Sequence, residues 1–473
     1  MSTRRGDAQG AAQADAPTIA ATAAALRRGE TTSVALTDAC LRRIAQYDGA
    51  VNAFITVLSD QARAQAMAAD RELASGHDRG PLHGIPLSLK DIVDVEGTAT
   101  TAASRVRSDH VAAKDAPIVA RLRQAGAVLI GKTNLHEFAL GTTNEESAFG
   151  AVHHPLDETR SPGGSSGGSA ASVLAGMAYA SIGTDTGGSV RIPAAACGLV
   201  GLKPSLGEIS RDGVVPLSPT LDYVGPLCRS VDDARMVFQV LAGSSAFAKA
   251  AAGHESPAHE ERPDLRGKRF GVLSEYFTAV LDAQIAERFH QVCTLLTRAG
   301  ASVDEVVLPH AADISAVYLH IVLAEAAAYH AATLDHRADA YTEGVRLRLE
   351  MGRYILAEDY VRALRGRDVL TQEVNAALGG REALLLPTLA IPAPKLGVPM
   401  VRLGGSDEPV RNVMLRLTQL FNITGHPAIT LPSGTTADRL PIGLQIVGAS
   451  GRTADLLSIA RALEDQVGPG KSG

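Results

Sequence analysis

At 473 residues, with 45% hydrophobic and 20% charged side chains, the chain can bury a substantial core and has the ordinary make-up of a soluble globular protein. Its net charge of −6 is small for the length and argues against a dedicated nucleic-acid surface, which usually shows basic clusters. Four scattered cysteines without CxxC spacing, Cys40, Cys197, Cys228 and Cys293, suggest neither a zinc site nor a disulfide framework and fit a reducing cytoplasm.

Residues 1–17 are rich in Ala, Gln, Asp and Arg and lack an apolar run. They read as a disordered start rather than a secretory signal, so the folded unit is expected over 18–473. No uninterrupted apolar window of about 18 residues occurs, so no membrane span is expected. Residues 18–75 read as helical, with Leu36, Cys40 and Ile44 at helical spacing and Thr32-Ser33 as caps of a second helix. After Pro86, the run Leu87–Val93 reads as a buried strand. A helix over 115–125 then leads to a strand at Ala127–Gly131, and a helix at Ala170–Ala178 leads to a strand at Tyr179–Gly183. This alternation predicts an α/β sheet covered by helices. Polar and small residues at 244–263 interrupt the pattern as an interdomain linker would. The returns at Lys268–Leu273 and Leu384–Pro387 favour completion of the same sheet instead.

Three segments carry the chemistry. Two are serine- and glycine-rich, Arg160–Ser169 (RSPGGSSGGS) and Gly183–Pro193 (GTDTGGSVRIP), and the third is Gly84–Asp91 (GIPLSLKD) with Lys90 inside it. A serine becomes a useful nucleophile only when something takes its proton, and a desolvated lysine can do so. Leu87, Leu89, Ile92 and Val93 make the surroundings of Lys90 apolar. Burial there disfavours the ammonium form, whereas a lysine at an exposed strand end would have no such role. Glycines beside Ser189 leave backbone N–H groups free to face an oxyanion.

Blander readings of these segments fail on specific grounds. Gly163–Ser169 alone looks like a flexible linker, but Ala170–Gly176 continues straight into an apolar helix. A phosphate loop would need a lysine after its glycines, and none follows. His83, His136, His153, His154 and His426 show no HExxH or comparable spacing, so neither a metal nor another cofactor is expected. No Gly-x-Ser-x-Gly elbow stands where a Ser–His–Asp triad would need it. Asp185 and Arg191 flank the Ser189 loop as an ion pair that fixes it would.

Together the segments resemble the motifs of the amidase signature family: G-I-P-x-x-x-K-D, G-G-S-S-G-G-S and G-x-D-x-G-G-S-x-R-x-P, in that order. The two serines are 189 − 165 = 24 positions apart, as in that family. Ile130–Asn134, Gly198–Ser205, Leu221–Leu227, Leu386–Thr388 and Pro441–Gln445 extend the likeness from roughly residue 20 to the end. The resemblance implies one α/β/α domain around a large mixed sheet. It also implies a Ser–Ser–Lys site in which neutral Lys90 takes a proton from Ser165, Ser165 takes one from Ser189, and Ser189 attacks the carbonyl. The N–H groups of Thr186, Gly187, Gly188 and Ser189 would then form the oxyanion hole. Ser165 would follow a cis peptide bond, with Gly163 and Gly164 allowing the turn. Gly164, Ser166, Asp185 and Arg191 are the expected supports.

The activity implied is hydrolysis of the C–N bond of a small amide, with carbamates (urethanes) and esters open to the same nucleophile. The alternative within the family is the glutamine-hydrolysing A subunit of a tRNA-dependent amidotransferase. That component carries an aspartate in a D-x-F-T-x-x-x-N-x-x-G-like segment, where this chain has Leu415 ahead of Asn422–Gly425, a departure that speaks against glutamine. A catalytically dead scaffold protein is disfavoured because Lys90, Ser165 and Ser189 are all present. His153-His154-Pro155 departs from the Asn-Pro that often precedes the glycine loop. The pocket is expected from 139–145, 210–220 and the region after 315. The expected partner is a small amide or carbamate substrate, with no nucleic acid and no membrane, and a homodimer is compatible with this reading.

Overall fold

Short apolar runs bounded by turn residues make strands rather than helices when both of their faces can be covered, and this chain uses many of them. The computed structural model describes residues 16–243 and 264–468. Its strands are β1 (Phe54–Val57), β2 (Pro86–Lys90), β3 (Val128–Thr133), β4 (Ala180–Asp185), β5 (Val200–Lys203), β6 (Tyr223–Cys228), β7 (Arg269–Leu273), β8 (Ser302–Val306), β9 (Ala383–Pro387), β10 (Met400–Leu403), β11 (Ser406–Pro409), β12 (Ala428–Thr435) and β13 (Pro441–Val447). Eleven of them form one sheet in the order β1-β3-β2-β4-β6-β5-β12-β13-β9-β7-β8, and β10 and β11 form a separate hairpin. The sheet is mixed: β2 runs parallel to β3 and β4, whereas β4 is antiparallel to β6.

Every residue of β2, β3, β4 and β9 is buried, as expected of central strands covered on both faces. One apolar cluster, including Leu135, Ile192, Ile314, Ile321 and Phe421, packs on one side. A second, including Leu87, Leu129, Ile182, Val237 and Leu463, packs on the other. The α/β/α layering predicted from the alternation is the observed architecture, and β7 and β9 do join the same sheet. The segment 244–263 lies outside the described residues, as does 1–17 apart from Ala16 and Pro17.

The expectation that 18–75 is helical, with no strand in it, needs correction. Helices Ile19–Arg27, Ser33–Val51 and Ser59–Ala74 are interrupted by β1, which pairs antiparallel with β3 at the edge of the sheet. Thr32 caps the second helix as expected, its hydroxyl accepting from Ala35 N at 3.1 Å. That helix ends because Asn52 turns left-handed at φ 57°, a conformation Asn tolerates. The Asp48 carboxylate then accepts Ala53 N at 2.7 Å and Phe54 N at 3.3 Å. These bonds peel the chain into the sheet.

One helical stretch, Ala311–Ala340, is long and apolar enough to cross a membrane, a property that counting uninterrupted apolar runs does not detect. Its Ile314, Val317, Ile321 and Val322 side chains are buried in the core.

Topology now places the site. Because β2 and β4 are parallel neighbours, in register from Leu87 opposite Ala180, their carboxyl ends bring Lys90 and Asp185 to one edge of the sheet. Antiparallel β6 places Tyr223 opposite Asp185 and so delivers Asp222 to the same edge. Ligands of open α/β sheets bind outside such strand ends.

Candidate active site

Lys90 is the last residue of β2 and is fully buried. Its Nζ bonds to Ser165 Oγ and to Thr184 Oγ1, each at 2.8 Å. Burial lowers its pKa to about 7, against the opposing pull of Asp185 and Asp222. Near neutral pH the neutral amine, able to accept a proton, is therefore accessible, as it is not for an ordinary lysine.

Ser165 sits at the start of the loop that feeds the helix Gly167–Leu174. The Gly164–Ser165 peptide bond is cis. A Cβ on Gly164 would stand 2.9 Å from Asn144 N and 3.0 Å from Thr142 C. Both are backbone atoms, so only glycine fits. The carbonyl of Ser165 accepts His136 N at 3.1 Å. Ser166 ties the two serine loops together: its N–H donates to Ser189 O at 3.3 Å and its hydroxyl to Thr184 O at 3.2 Å. Ser189 is 5% exposed, and among the described residues no hydrogen bond joins its Oγ to that of Ser165.

The Ser189 loop runs from the end of β4 into the helix Arg191–Ala196. Asp185 organises it from below. Its carboxylate accepts Val190 N at 3.1 Å, Arg191 Nε at 3.0 Å, and Arg191 and Asn422 side-chain nitrogens at 2.8 Å. Burial alone would raise this carboxyl, but the Arg191 guanidinium and Asn422 bring it down to about 2. Arg191 reaches further, to Thr418 O at 3.0 Å and Gln445 Oε1 at 2.7 Å. Thr418 Oγ1 in turn donates to Gly187 O at 2.6 Å.

Carbonyls and side chains of this loop are thus engaged, as is the Val190 amide, while the four amides before it are not. Among the described residues, none of the N–H groups of Thr186, Gly187, Gly188 and Ser189 donates to a protein acceptor. Four uncommitted donors in consecutive residues are suited to a negatively charged oxygen. A side chain at Gly188, where φ is 136°, would collide with Thr418, and one at Gly187 with the Tyr318 hydroxyl and Leu415.

The structure brings together every residue singled out in the sequence: Lys90, Gly164, Ser165, Ser166, Asp185, Thr186, Gly187, Gly188, Ser189 and Arg191. It adds Tyr318, and it gives bracing roles to Thr184, Asp222, Thr418 and Asn422, which lie in family-like segments but carry no role in the sequence reading. Asp222 accepts the Thr186 hydroxyl at 2.6 Å and the N–H groups of Leu217 and Ser218 at 2.9 and 3.0 Å. Burial lifts its pKa to about 6. A cavity of about 470 Å³ opens beside these groups, lined by Ile92, Ala139, Thr184, Thr186, Val215 and Asp222 among others, so two of the three expected pocket segments contribute to it. Among the described residues, no group of three or more His, Cys, Asp or Glu could hold a metal.

Comparison with known proteins agrees with this geometry. A family model described as Amidase matches residues 35–457. The A subunit of glutamyl-tRNA(Gln) amidotransferase from Roseiflexus sp. (strain RS-1) is 40% identical over 466 residues, covering 93% of this chain and 94% of that protein. A crystal structure of an amidase superposes with a TM-score of 0.88 at 37% identity, covering 96% of this chain and all of the other. The crystal structure of the corresponding A subunit of glutamyl-tRNA(Gln) amidotransferase from Thermotoga maritima superposes at 0.77 with 33% identity, covering 96% of each chain. The expectation of a small-molecule partner and no nucleic acid is corrected by these findings, since the relatives are subunits of an enzyme named for a tRNA. The physical reason is plain: a net charge of −6 on one chain does not report on a surface supplied by another polypeptide.

Proposed function

From the premise that the chain belongs to the amidase family, we propose that it hydrolyses the C–N bond of an amide through an acyl intermediate on Ser189. The observation that carries the reading is a buried lysine of lowered pKa, 2.8 Å from Ser165 Oγ, at the foot of a loop with four uncommitted N–H groups. Neutral Lys90 accepts the Ser165 proton as Ser165 accepts that of Ser189, and Ser189 Oγ bonds to the carbonyl carbon. The oxyanion takes its hydrogen bonds from the amides of Thr186 to Ser189, a contribution of several kcal/mol in comparable sites. Collapse breaks the C–N bond, and the amine leaves with the proton returned through Ser165. Water then adds to the ester with the same base, releasing the acid and restoring Ser189.

As to which amide, the relatives support the glutamine-hydrolysing component of an amidotransferase better than the free-standing hydrolase expected from the sequence. One observation favours the free-standing reading. Leu415, in the position aligned with that component's aspartate, is 5% exposed and its Cδ2 would lie 2.9 Å from a Cβ on Gly187. The register behind that alignment is supported by Thr418 and Asn422, which hold Gly187 O and Asp185 as fixed points. An apolar side chain there offers nothing to an ammonium group.

The test is product analysis on purified protein given an aryl amide, a carbamate and glutamine, with mass spectrometry of Ser189. A Ser189 acyl adduct with release of the amine supports the hydrolase. Glutamine turnover that appears only with the other amidotransferase components added selects the transferase reading. Absence of both adduct and amine release with every substrate would overturn the proposal.

A further inference from the structure

Glu325 stands on the helix Ile314–Arg337, outside both serine loops, yet its carboxylate collects four donors. Oε2 accepts the Ser218 hydroxyl at 2.6 Å and the Thr220 N–H at 3.1 Å. Oε1 accepts the Thr220 hydroxyl at 2.7 Å and the Tyr360 hydroxyl at 2.9 Å. Tyr360 belongs to another helix, Ala357–Leu378, so one carboxylate joins two helices to one turn. An ionised carboxylate offers about four acceptor sites and no donor, and the four bonds use them. Among the described residues Glu325 enters no ion pair. Its neighbours are hydroxyls and an amide that need an acceptor, which makes the group a clamp.

The clamped turn is tied to the site in two ways. The Asp222 carboxylate closes it from within, accepting Leu217 N and Ser218 N at 2.9 and 3.0 Å, and Asp222 N donates to Ser218 O at 2.9 Å. That carboxylate also accepts the Thr186 hydroxyl at 2.6 Å, and its charge acts on Lys90. On its open side the turn is cavity wall: Pro216, Leu217 and Pro219 line the space that Thr184 and Thr186 also face. Ser218 and Thr220, the residues that Glu325 holds, flank the exposed Pro219 at the tip. A turn whose tip faces solvent keeps one position only when its backbone is tied to the scaffold.

Resting on the hydrolase reading above, we propose that Glu325, held by Tyr360, is a positioning residue: it fixes the turn 217–222 as a wall of the substrate cavity and so presents Asp222 to Thr186. Without the clamp the wall recedes from bound substrate, and the Asp222 charge moves away from Lys90. A misplacement of about 1 Å, even one originating away from the reacting atoms, can cost up to about a hundredfold in rate.

The test compares full-length Glu325→Ala, Glu325→Gln and Tyr360→Phe proteins with the parent. It reads hydrogen exchange over 217–222 and the pH profile of aryl amide hydrolysis. In Glu325→Ala the amides of Leu217 and Ser218 are expected to exchange roughly tenfold faster, and kcat/KM to fall roughly tenfold. The rising limb of the profile should also move to lower pH as Asp222 leaves Lys90. Glu325→Gln lacks the charge but still accepts at its oxygen and can donate to hydroxyls at its nitrogen. It should restore most of the protection and keep the parental midpoint, with Tyr360→Phe between the two. If Glu325→Ala does not fold, Ser218→Ala combined with Thr220→Val removes two of the bonds from the side of the turn and should give the same result. Unchanged exchange, or faster exchange with parental kcat/KM and midpoint, would overturn the positioning role. So would a Glu325→Gln protein as impaired as Glu325→Ala, since charge and not the clamp would then carry the effect. Exchange needs no substrate, so a parent that turns over no amide counts against the hydrolase reading while exchange still decides the clamp.

Discussion

Asp222 accepts the Thr186 hydroxyl at 2.6 Å, and through that bond a half-buried carboxylate from β6's leading turn reaches the loop that carries Ser189. The same carboxylate raises the pKa of Lys90, as Asp185 does, against the larger effect of burial. The proton acceptor and the oxyanion loop therefore share an electrostatic partner.

The pH dependence of turnover follows from Lys90. A lysine must be neutral to accept a proton, and burial lowers this one to about 7. Activity is expected to rise with pH through about 7 and then level off. A rate profile flat from mildly acidic to alkaline pH, or full activity in Lys90→Met, would remove Lys90 from the mechanism.

Replacing Asp222 by Asn should move that midpoint. An amide can still accept the Thr186 hydroxyl, but a negative charge that favours the ammonium form is gone. The Lys90 pKa falls, so the rising limb shifts toward lower pH while a plateau remains. An unchanged midpoint with reduced plateau would mean that Asp222 acts only by positioning Thr186.

Ser189→Ala should abolish turnover by several powers of ten and leave thermal unfolding near that of the parent protein. The hydroxyl makes no hydrogen bond to Ser165, so its loss leaves no partner stranded. A purified variant retaining more than a few per cent of activity would exclude Ser189 as nucleophile.

Asp185→Asn is expected to cost about 3–5 kcal/mol at neutral pH, because Arg191 is left charged and buried. The folded carboxyl sits at about 2, below its ordinary 3.8. Its stabilising contribution is therefore present above about 4 and is lost as the pH falls toward 2. Denaturant titrations across that window should show a shallower pH dependence in the variant. An equal slope would assign the ion pair no part in stability.

The chemical groups were legible in the sequence because they are packed into contiguous glycine–serine runs with one apolar strand ahead of them. What braces them was not. Thr418 is 231 residues from Gly187 and Asn422 is 237 from Asp185, and only the sheet order makes them neighbours. Asp222 lies in a family-like segment, yet its role depends on β6 running antiparallel to β4. The strand β1 escaped because it has four residues between two long alanine-rich helices. The ion pair Asp185–Arg191, six residues apart, could be read in advance because a strand-to-helix turn closes that distance locally.

The separation of nucleophile and brace also orders events during synthesis. Lys90, Ser165 and Ser189 leave the ribosome well before Thr418, Asn422 and Gln445, and at about 5–20 residues per second the gap is on the order of ten to fifty seconds. Throughout that interval the nascent chain holds every reactive side chain and the Asp185–Arg191 pair, but not Thr418, Asn422 and Gln445, which complete the bracing of Gly187, Asp185 and Arg191. A fragment ending before residue 418 would carry the full set of reactive groups on an incompletely braced loop. Hydrolytic competence is thus tied to completion of the polypeptide.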